Sequence, residues 1–575
     1  MPSDFWMRTV QEAEAGRLNE AIASARVRQR MRPRDPEACE LLGMLLLQAN
    51  EPAQAAHQLQ RACELEPGSA LLQLRRSDAL MRANRSAEGI AAMRVAIALD
   101  PAHEEAWLSL TAALILTGDV ANAARAATEG LAHHPDSASL ASNRAIALAR
   151  AGETDAALAA LESFLVGHPQ AHELRSNMLL MLQYSERAPD TILQAHRAFG
   201  ASLPAPQPPP PRRPATPLRI GVLSADLRGH SVGFFVEPLL AHAPDTVELV
   251  VFSNSPYQGA DPTRERLRAL ARTWHDVHAI DDAALDALIR RERIDVLLEL
   301  NGHTSDNRLP ALARKPAPLL VTAIGYPDTT GVPAIDLRLV DSITDPPGSD
   351  ASCTERLLRL DPCFLCYSPP REAVEPSMPA ESIPVTFGSF NNVAKLVPGT
   401  VALWARVLQA MPRSRLLLKS IGLEDAAVRD AVRRRFASAG IDDARLELRD
   451  ARLDRDAHLA LYGQVHVALD PTPYNGTTTT CEALWMGVPV VTLQGARHAA
   501  RVSSSLLQAA GFGAWIARDA EQFVRIATEL AMDRARLVSL RDSMRDTLRA
   551  SPLLDARAYA TRLCTSLAHL YSSLP

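Results

Sequence analysis

Lysine is almost missing from this chain. It stands only at Lys315, Lys395 and Lys419, so arginine supplies the other 58 of the 61 basic residues among 575. Where arginine is so favoured, a retained lysine is of interest, because a compact point charge and a planar fork do different jobs. Cysteine is scarce as well: seven residues, scattered from Cys39 to Cys564, which excludes a disulfide scaffold and fits reduced thiols. The lone CxxC, Cys363–Cys366, has no second pair to complete a structural zinc site. No apolar run reaches the roughly 18 residues of a transmembrane helix. Positive charge is not in excess either. The formal net charge of −5 excludes a global field for nucleic acid. The N-terminal stretch MPSDFWMRTVQEAEAG lacks the charged-then-apolar pattern of a secretory leader. No HExxH, Walker A or GxSxG motif occurs. These absences leave a cytoplasmic, multidomain protein, with no nucleic-acid or membrane partner, as the expectation.

What is present begins with a repeat. Prolines stand at Pro33, Pro67, Pro101, Pro135 and Pro169, 34 residues apart each time. Gly16, Asn50, Asn84, Gly118 and Gly152 repeat in phase, as do Ala21, Ala55, Gly89, Ala123 and Ala157. Leu46, Leu80, Leu114 and Leu148 form a fourth track. Within one unit, Trp107, Leu110 and Leu114 share a helical face. Gly118 breaks the helix, and small Ala123 lets a second helix approach. A 34-residue helix–turn–helix with these positions resembles the tetratricopeptide repeat. Such units stack into a superhelix with a groove, because none buries its apolar face alone. Asn143 and Asn177, one period apart on first helices, are candidates to hold an acceptor backbone. The row is incomplete, since Leu41, Arg75 and Ser109 take the equivalent places. Residues 203–217, LPAPQPPPPRRPATP, read as a stiff polyproline connector.

Beyond it the grammar becomes strand–helix alternation. LRIGVLS, VELVVF and IDVLLEL are apolar strands of one parallel sheet; VTFGSF, RLLLK, VHVALD and VPVVTL belong to a second. The predicted organisation is repeats and capping helices over 1–202, a linker over 203–217, and two Rossmann-like lobes over 218–384 and 385–575. Ligands of such lobes bind at the carboxyl ends of strands.

Four places at such ends carry chemistry. After VHVALD come Asn475, Gly476 and then Thr477, Thr478, Thr479 and Thr480, opening a helix. Hydroxyls and free N–H groups at a helix N-terminus suit a phosphate, and four threonines exceed what capping needs. Glu482, one turn on, suits ribose hydroxyls. Lys395 follows the strand VTFGSF, where a cation neutralises a departing diphosphate. His230 (DLRGHSVG) and His303 (NGHT) hang on glycine loops of the first lobe, facing the other lobe; each is open between a structural and a catalytic role. Asp454–Asp456 has the form DxD but lies in a helical stretch, so no catalytic metal is expected. On spacing alone His458 is either a helix-surface histidine or a flank for a planar base.

Repeats followed by two such lobes resemble the O-GlcNAc transferase family, which also includes SPINDLY-type protein O-fucosyltransferases. The resemblance is carried by SADLRGHSVG, ELNGHT, RKPAPLLVTAIGYPDTTG, SFNNVAKLVPGT, ALDPTPYNGTTTTCEALWMGVPVVT and ARVSSSLLQAAG. It implies an all-α tetratricopeptide superhelix followed by an α/β fold of GT-B type. It implies inverting, metal-independent transfer of GlcNAc from UDP-GlcNAc to Ser or Thr of proteins. No cofactor is implied beyond the nucleotide-sugar co-substrate, and acceptors lie along the repeat groove. By resemblance His230 and His303 are cleft histidines, and Lys395 holds the distal phosphate with Asn392 beside it. Thr477, Thr478 and Thr479 form the pyrophosphate loop and Glu482 is the ribose acid. His458 stacks on the base, with Arg455 nearby. The alternatives are a GDP-fucose donor on the same fold and a non-catalytic repeat scaffold. The intact threonine loop and Lys395 argue against the scaffold.

Overall fold

The computed structural model describes residues 3–211, 217–257, 259–370, 374–450 and 453–574. Residues 212–216 of the proline-rich connector and 371–373 of the segment between the lobes lie outside the described residues. The chain divides into two compact units, Met1–Leu148 and Ala149–Pro575.

The first unit is helical, and the 34-residue tracks have physical causes. Helices Pro36–Gln48, Ala70–Arg82 and Glu104–Thr117 each begin three residues after a spaced proline. The glycine and asparagine track marks the turn within each pair. Gly16, Asn50, Asn84 and Gly118 all have φ between 58° and 83°, the left-handed region that glycine and asparagine tolerate best. Ala21, Ala55 and Ala123 are fully buried, and Leu46, Leu80 and Leu114 are almost so. A Cβ on Gly89, their counterpart, would lie 2.9 Å from Met81 Sδ. Trp107 fixes its unit to the preceding turn by donating from Nε1 to Pro101 O at 2.9 Å.

The second unit contains the last repeat helices and both lobes. The strands of the first lobe are β1 (Leu218–Ser224), β2 (Val247–Ser253), β3 (Thr273–Asp276), β4 (Val296–Glu299), β5 (Leu319–Thr322), β6 (Leu337–Val340) and β7 (Arg356–Arg359). They form a parallel sheet in the order β3-β2-β1-β4-β5-β6-β7. The second lobe has β8 (Thr386–Ser389), β9 (Arg415–Ser420), β10 (Leu446–Asp450), β11 (Val467–Leu469), β12 (Val490–Leu493) and β13 (Ile516–Ala517). Their order is β10-β9-β8-β11-β12-β13, again parallel. Each sheet reverses its winding once, between β1 and β4 and between β8 and β11. At such a switch point the loops leaving two neighbouring strands diverge and open a crevice at their carboxyl ends. This is the GT-B arrangement of two Rossmann-like lobes.

Helix His172–Gln183 docks on the first lobe, and the helix after it, Pro189–Ser202, docks beside it. Gln183 Nε2 donates to Tyr326 OH at 3.1 Å, and His196 Nε2 lies 2.7 Å from the same hydroxyl. A Cβ on Gly200 would fall 1.7 Å from Gly331 O, so only glycine permits this approach. Turns flanking the last repeat helices also hold the second lobe: Arg435 donates to Gly152 O, before helix Thr154–Gly167, at 2.9 Å and Arg497 to Ser185 O, after helix His172–Gln183, at 3.1 Å. The final helix, Ala556–Ser572, returns to the first lobe, where Tyr571 OH donates to Asp295 Oδ1 at 3.0 Å. Among the described residues no helix is long and apolar enough to cross a membrane.

Candidate active site

The switch point of the second lobe gathers the cationic part of the site. The loop leaving β8 carries Asn391 and Asn392 into a short turn, Val393–Lys395. Asn392, itself exposed, caps that turn by accepting from Ala394 N at 3.0 Å. Lys395 crosses to the loop leaving β11. Its Nζ donates to Asn391 Oδ1 at 3.0 Å and to Asn475 O at 2.7 Å, and it sits 4.3 Å from the Tyr474 ring centroid. An ammonium has three donors, so these two bonds leave one N–H. Burial pulls the Lys395 ammonium down to about 8, against the opposing charge of Asp470.

Asp470 shapes the loop opposite. Its carboxylate accepts from Gly476 N and Thr492 Oγ1, both at 2.7 Å, and burial pushes its pKa up to about 6. The helix Thr478–Trp485 follows. Thr477 occupies its N-cap position but makes no side-chain cap bond, so capping does not explain the threonine run. Thr478 Oγ1 is buried with no hydrogen-bond partner among the described residues. Thr479 Oγ1 donates to Asn391 Oδ1 at 3.2 Å. The N–H groups of a first helical turn lack intrahelical acceptors, and together with an unpaired hydroxyl and a nearby ammonium they form a cradle for an anion.

Glu482 and His458 meet at the other side of that helix. His458 Nε2 lies 3.0 Å from Glu482 Oε2, and its Nδ1 lies 2.7 Å from Lys419 Nζ. Phe390 and Tyr462 flank the imidazole, with centroids 5.8 and 5.7 Å away. His458 is therefore not a plain surface residue. Arg455, at the start of the short helix Arg455–Ala460 that also carries His458, reaches toward the first lobe and stands 4.6 Å over the Phe234 ring, a cation–π contact between the lobes.

The two first-lobe histidines part company. His230 caps helix Ser231–His242 at the end of the loop from β1, and its Nδ1 accepts from Val232 N at 3.4 Å. Asp226 Oδ1 is 3.5 Å from that nitrogen. Burial, helped by Arg228, lowers its pKa against the pull of Asp226, so the imidazole is neutral near pH 7. Asn301, on the loop from β4, braces this turn through Ala225 N (2.9 Å) and Asp226 Oδ2 (3.2 Å). His303 does not face the opposite lobe. It is fully buried, with Nδ1 2.7 Å from Ser176 Oγ and Nε2 2.8 Å from Thr330 O. His196, Phe199 and Tyr326 pack around its ring. Helices His172–Gln183 and Pro189–Ser202 cover the edge at which sequence placed an open histidine.

Three contributors escape motif reading: Lys419, Tyr474 and Tyr184, which stacks on Tyr474 at 5.1 Å. The scarcity of lysine was the available signal for Lys419. The third lysine, Lys315, is structural: it is buried and donates to Ala334 O at 2.8 Å and to Asp336. Among the described residues no cluster of three or more His, Cys, Asp or Glu could hold a metal ion.

Residues 208–367 and 375–563 match the family described as Glycosyl transferase family 41, and residues 40–104 and 113–176 match Tetratricopeptide repeat. The chain is 38% identical over 401 residues to an Arabidopsis thaliana protein named probable UDP-N-acetylglucosamine–peptide N-acetylglucosaminyltransferase SPINDLY, covering 67% of this chain and 43% of that protein. To the Arabidopsis protein of the same descriptive name called SEC it is 28% identical over 359 residues, 60% of this chain and 36% of that one. It thus spans less than half the length of these curated relatives. A solved structure of a mutant Thermobaculum terrenum O-GlcNAc transferase is similar at a TM-score of 0.80 and 34% identity, covering 87% of this chain and 97% of that chain.

Proposed function

The chain belongs to glycosyl transferase family 41, and from that premise we propose that it moves GlcNAc from UDP-GlcNAc to Ser or Thr hydroxyls of proteins, with inversion and without a metal. The observation that carries the reading is Lys395: a desolvated ammonium with one unused N–H beside the N-terminus of helix Thr478–Trp485. Breaking the sugar–phosphate bond builds negative charge on the diphosphate, and preorganised donors aimed at that charge lower the barrier.

In this reading Thr477, Thr478 and Thr479 hold the pyrophosphate, and Asn392 sets the turn that delivers Lys395. Glu482 accepts from the ribose, His458 flanks the base, and Arg455 lies nearby. His230, neutral and half-buried at the first lobe's switch point, meets the acceptor hydroxyl. His303 contacts neither substrate in this reading, because both ring nitrogens are engaged within the protein. The repeats recruit protein acceptors.

A second reading keeps the fold and takes GDP-fucose. It is favoured by the higher identity to the SPINDLY-named relative than to the SEC-named one. Calorimetry with UDP, GDP, UDP-GlcNAc and GDP-fucose, followed by transfer to a Ser/Thr peptide in EDTA, decides between them. Binding of neither nucleotide sinks both readings. A strict requirement for Mg²⁺ or Mn²⁺ sinks the metal-free step.

A further inference from the structure

We propose that Lys419 is a positioning residue of the donor site: it fixes the ring proton of His458 at Nε2 and, through that proton, the orientation of the Glu482 carboxylate, so that Glu482 reads the ribose. The inference rests on the donor-site reading above and extends it to a residue in the neighbouring strand.

Lys419 is the penultimate residue of β9, which pairs with β8 in the sheet. Its side chain turns into the site and is almost covered, at 8% exposure. An ammonium only donates, so at 2.7 Å the Nδ1 of His458 must accept from Nζ. A neutral imidazole that accepts at Nδ1 carries its proton at Nε2. That nitrogen lies 3.0 Å from Glu482 Oε2, and an ionised carboxylate only accepts. The chain of bonds therefore has one direction, from Nζ–H to Nδ1 and from Nε2–H to Oε2. The other tautomer would set N–H against N–H at one end and lone pair against lone pair at the other.

Glu482 is itself 8% exposed. With Oε2 committed to His458, Oε1 is left to accept from a hydroxyl. Phe390 and Tyr462 flank the imidazole, so the ring plane is held while Lys419 sets the proton. Composition agrees. In a chain with arginine at 58 positions and lysine at three, this lysine points a single charge at a ring nitrogen, where a guanidinium fork matches poorly. Among the described residues Lys315 and Lys395 donate to oxygen atoms, whereas Lys419 donates to an imidazole.

The test is selectivity for the 2′-hydroxyl, which a purely structural lysine would not alter. Calorimetry on the full chain compares UDP, GDP and their 2′-deoxy forms with wild type, Lys419→Met, Lys419→Arg and Glu482→Gln. Wild type should prefer the ribonucleotide it binds over its deoxy form by about tenfold, the scale of one hydrogen bond to a charged group. Lys419→Met should bind more weakly, with the preference falling toward one, as in Glu482→Gln. Lys419→Arg should retain most of the preference at lower affinity, because a guanidinium still donates to Nδ1. Lys419→Met with an undiminished preference refutes the proposal. Should Lys419→Met fail to fold, the ring ¹⁵N shifts of His458, assigned by difference from His458→Ala, settle the matter on the native chain. A proton on Nε2 supports the proposal and a proton on Nδ1 overturns it. Wild type that binds neither ribonucleotide refutes the donor-site reading as well.

Discussion

Replacing Lys395 by methionine separates the cost of holding a charge from its use. The ammonium is drawn from an ordinary 10.5 down to about 8, chiefly by burial. At about 1.4 kcal/mol per tenfold, the folded, unliganded protein bears at most about 3–4 kcal/mol for carrying this cation at pH 7. The sign follows from linkage: a base whose folded pKa is depressed makes folding less favourable below that pKa. The cost is relieved as pH rises from about 8 toward 10.5. Methionine removes the cost, but also the cation–π contact with Tyr474, worth about 0.5–2 kcal/mol, and the bonds to Asn391 Oδ1 and Asn475 O, worth about 1 kcal/mol each. These terms nearly cancel, so the free variant is expected to melt within a few degrees of wild type. Turnover should fall sharply. Loss of a donor aimed at the leaving diphosphate typically costs about 3–4 kcal/mol in the transition state, or roughly 10²–10³ in rate. In wild type the affinity for the nucleotide diphosphate should be flat up to about pH 8 and fall by about tenfold per pH unit above it, because the site must then first be protonated. Lys395→Arg should flatten that limb while restoring only part of the rate. Scanning calorimetry, a calorimetric pH series and steady-state transfer measure the three quantities. Turnover within a few-fold of wild type, or affinity unchanged between pH 7 and 9.5, would show that Lys395 does not meet the diphosphate.

The two histidines should separate in the same way. His303→Ala empties a fully buried, doubly hydrogen-bonded position and should destabilise by about 2–4 kcal/mol, read as a lower melting temperature with UDP affinity nearly kept. His230→Ala should leave the melting temperature close to wild type and act on transfer; the reverse pattern would exchange their roles. Truncation checks the docking of the last repeat helices. A chain beginning at Ala138 should fold and bind nucleotide but lose protein acceptors. One beginning at Leu203 strips His196, Phe199 and Gly200 from the first lobe and should aggregate or melt early. Full protein-acceptor activity in the shorter chains would count against a recruiting role. Asp470→Asn places an amide N–H₂ against Gly476 N–H or Thr492 O–H, and should weaken nucleotide binding by roughly tenfold or more. Unaltered binding would mean that the loop after β11 does not need its carboxylate.

Much of this architecture is written locally. The 34-residue period survives into the structure because each track answers a requirement met within a few residues: left-handed φ at Gly16 and Asn50, close helix approach at Ala55 and Ala123. The strand LRIGVLS is observed with the predicted bounds, Leu218–Ser224, since a doubly covered parallel strand needs a continuous apolar run. Shorter and more polar strands such as β3 and β7 carry no such run, and periodicity passes over them. The loops bearing Lys395 and Thr477–Thr480 were legible too, because a strand followed by glycine and hydroxyl residues and then a helix is a contiguous pattern.

What tertiary structure alone decided is which side chains face each other across long stretches of chain. His303 and His230 look alike in sequence, each on a glycine loop after a strand. Helices ending more than a hundred residues before His303 cover it and leave His230 half open. Lys419 has no motif; it enters the site because β9 pairs with β8 and a helix some 39 residues later brings His458 to its ammonium. The final helix belongs by position to the second lobe, yet Tyr571 reaches Asp295 across 276 residues. A residue's type and its neighbours in the chain set what chemistry it can perform. Its exposure, its tautomer and its charge depend on which distant element covers it, and that is settled by packing the two sheets and the repeat helices together.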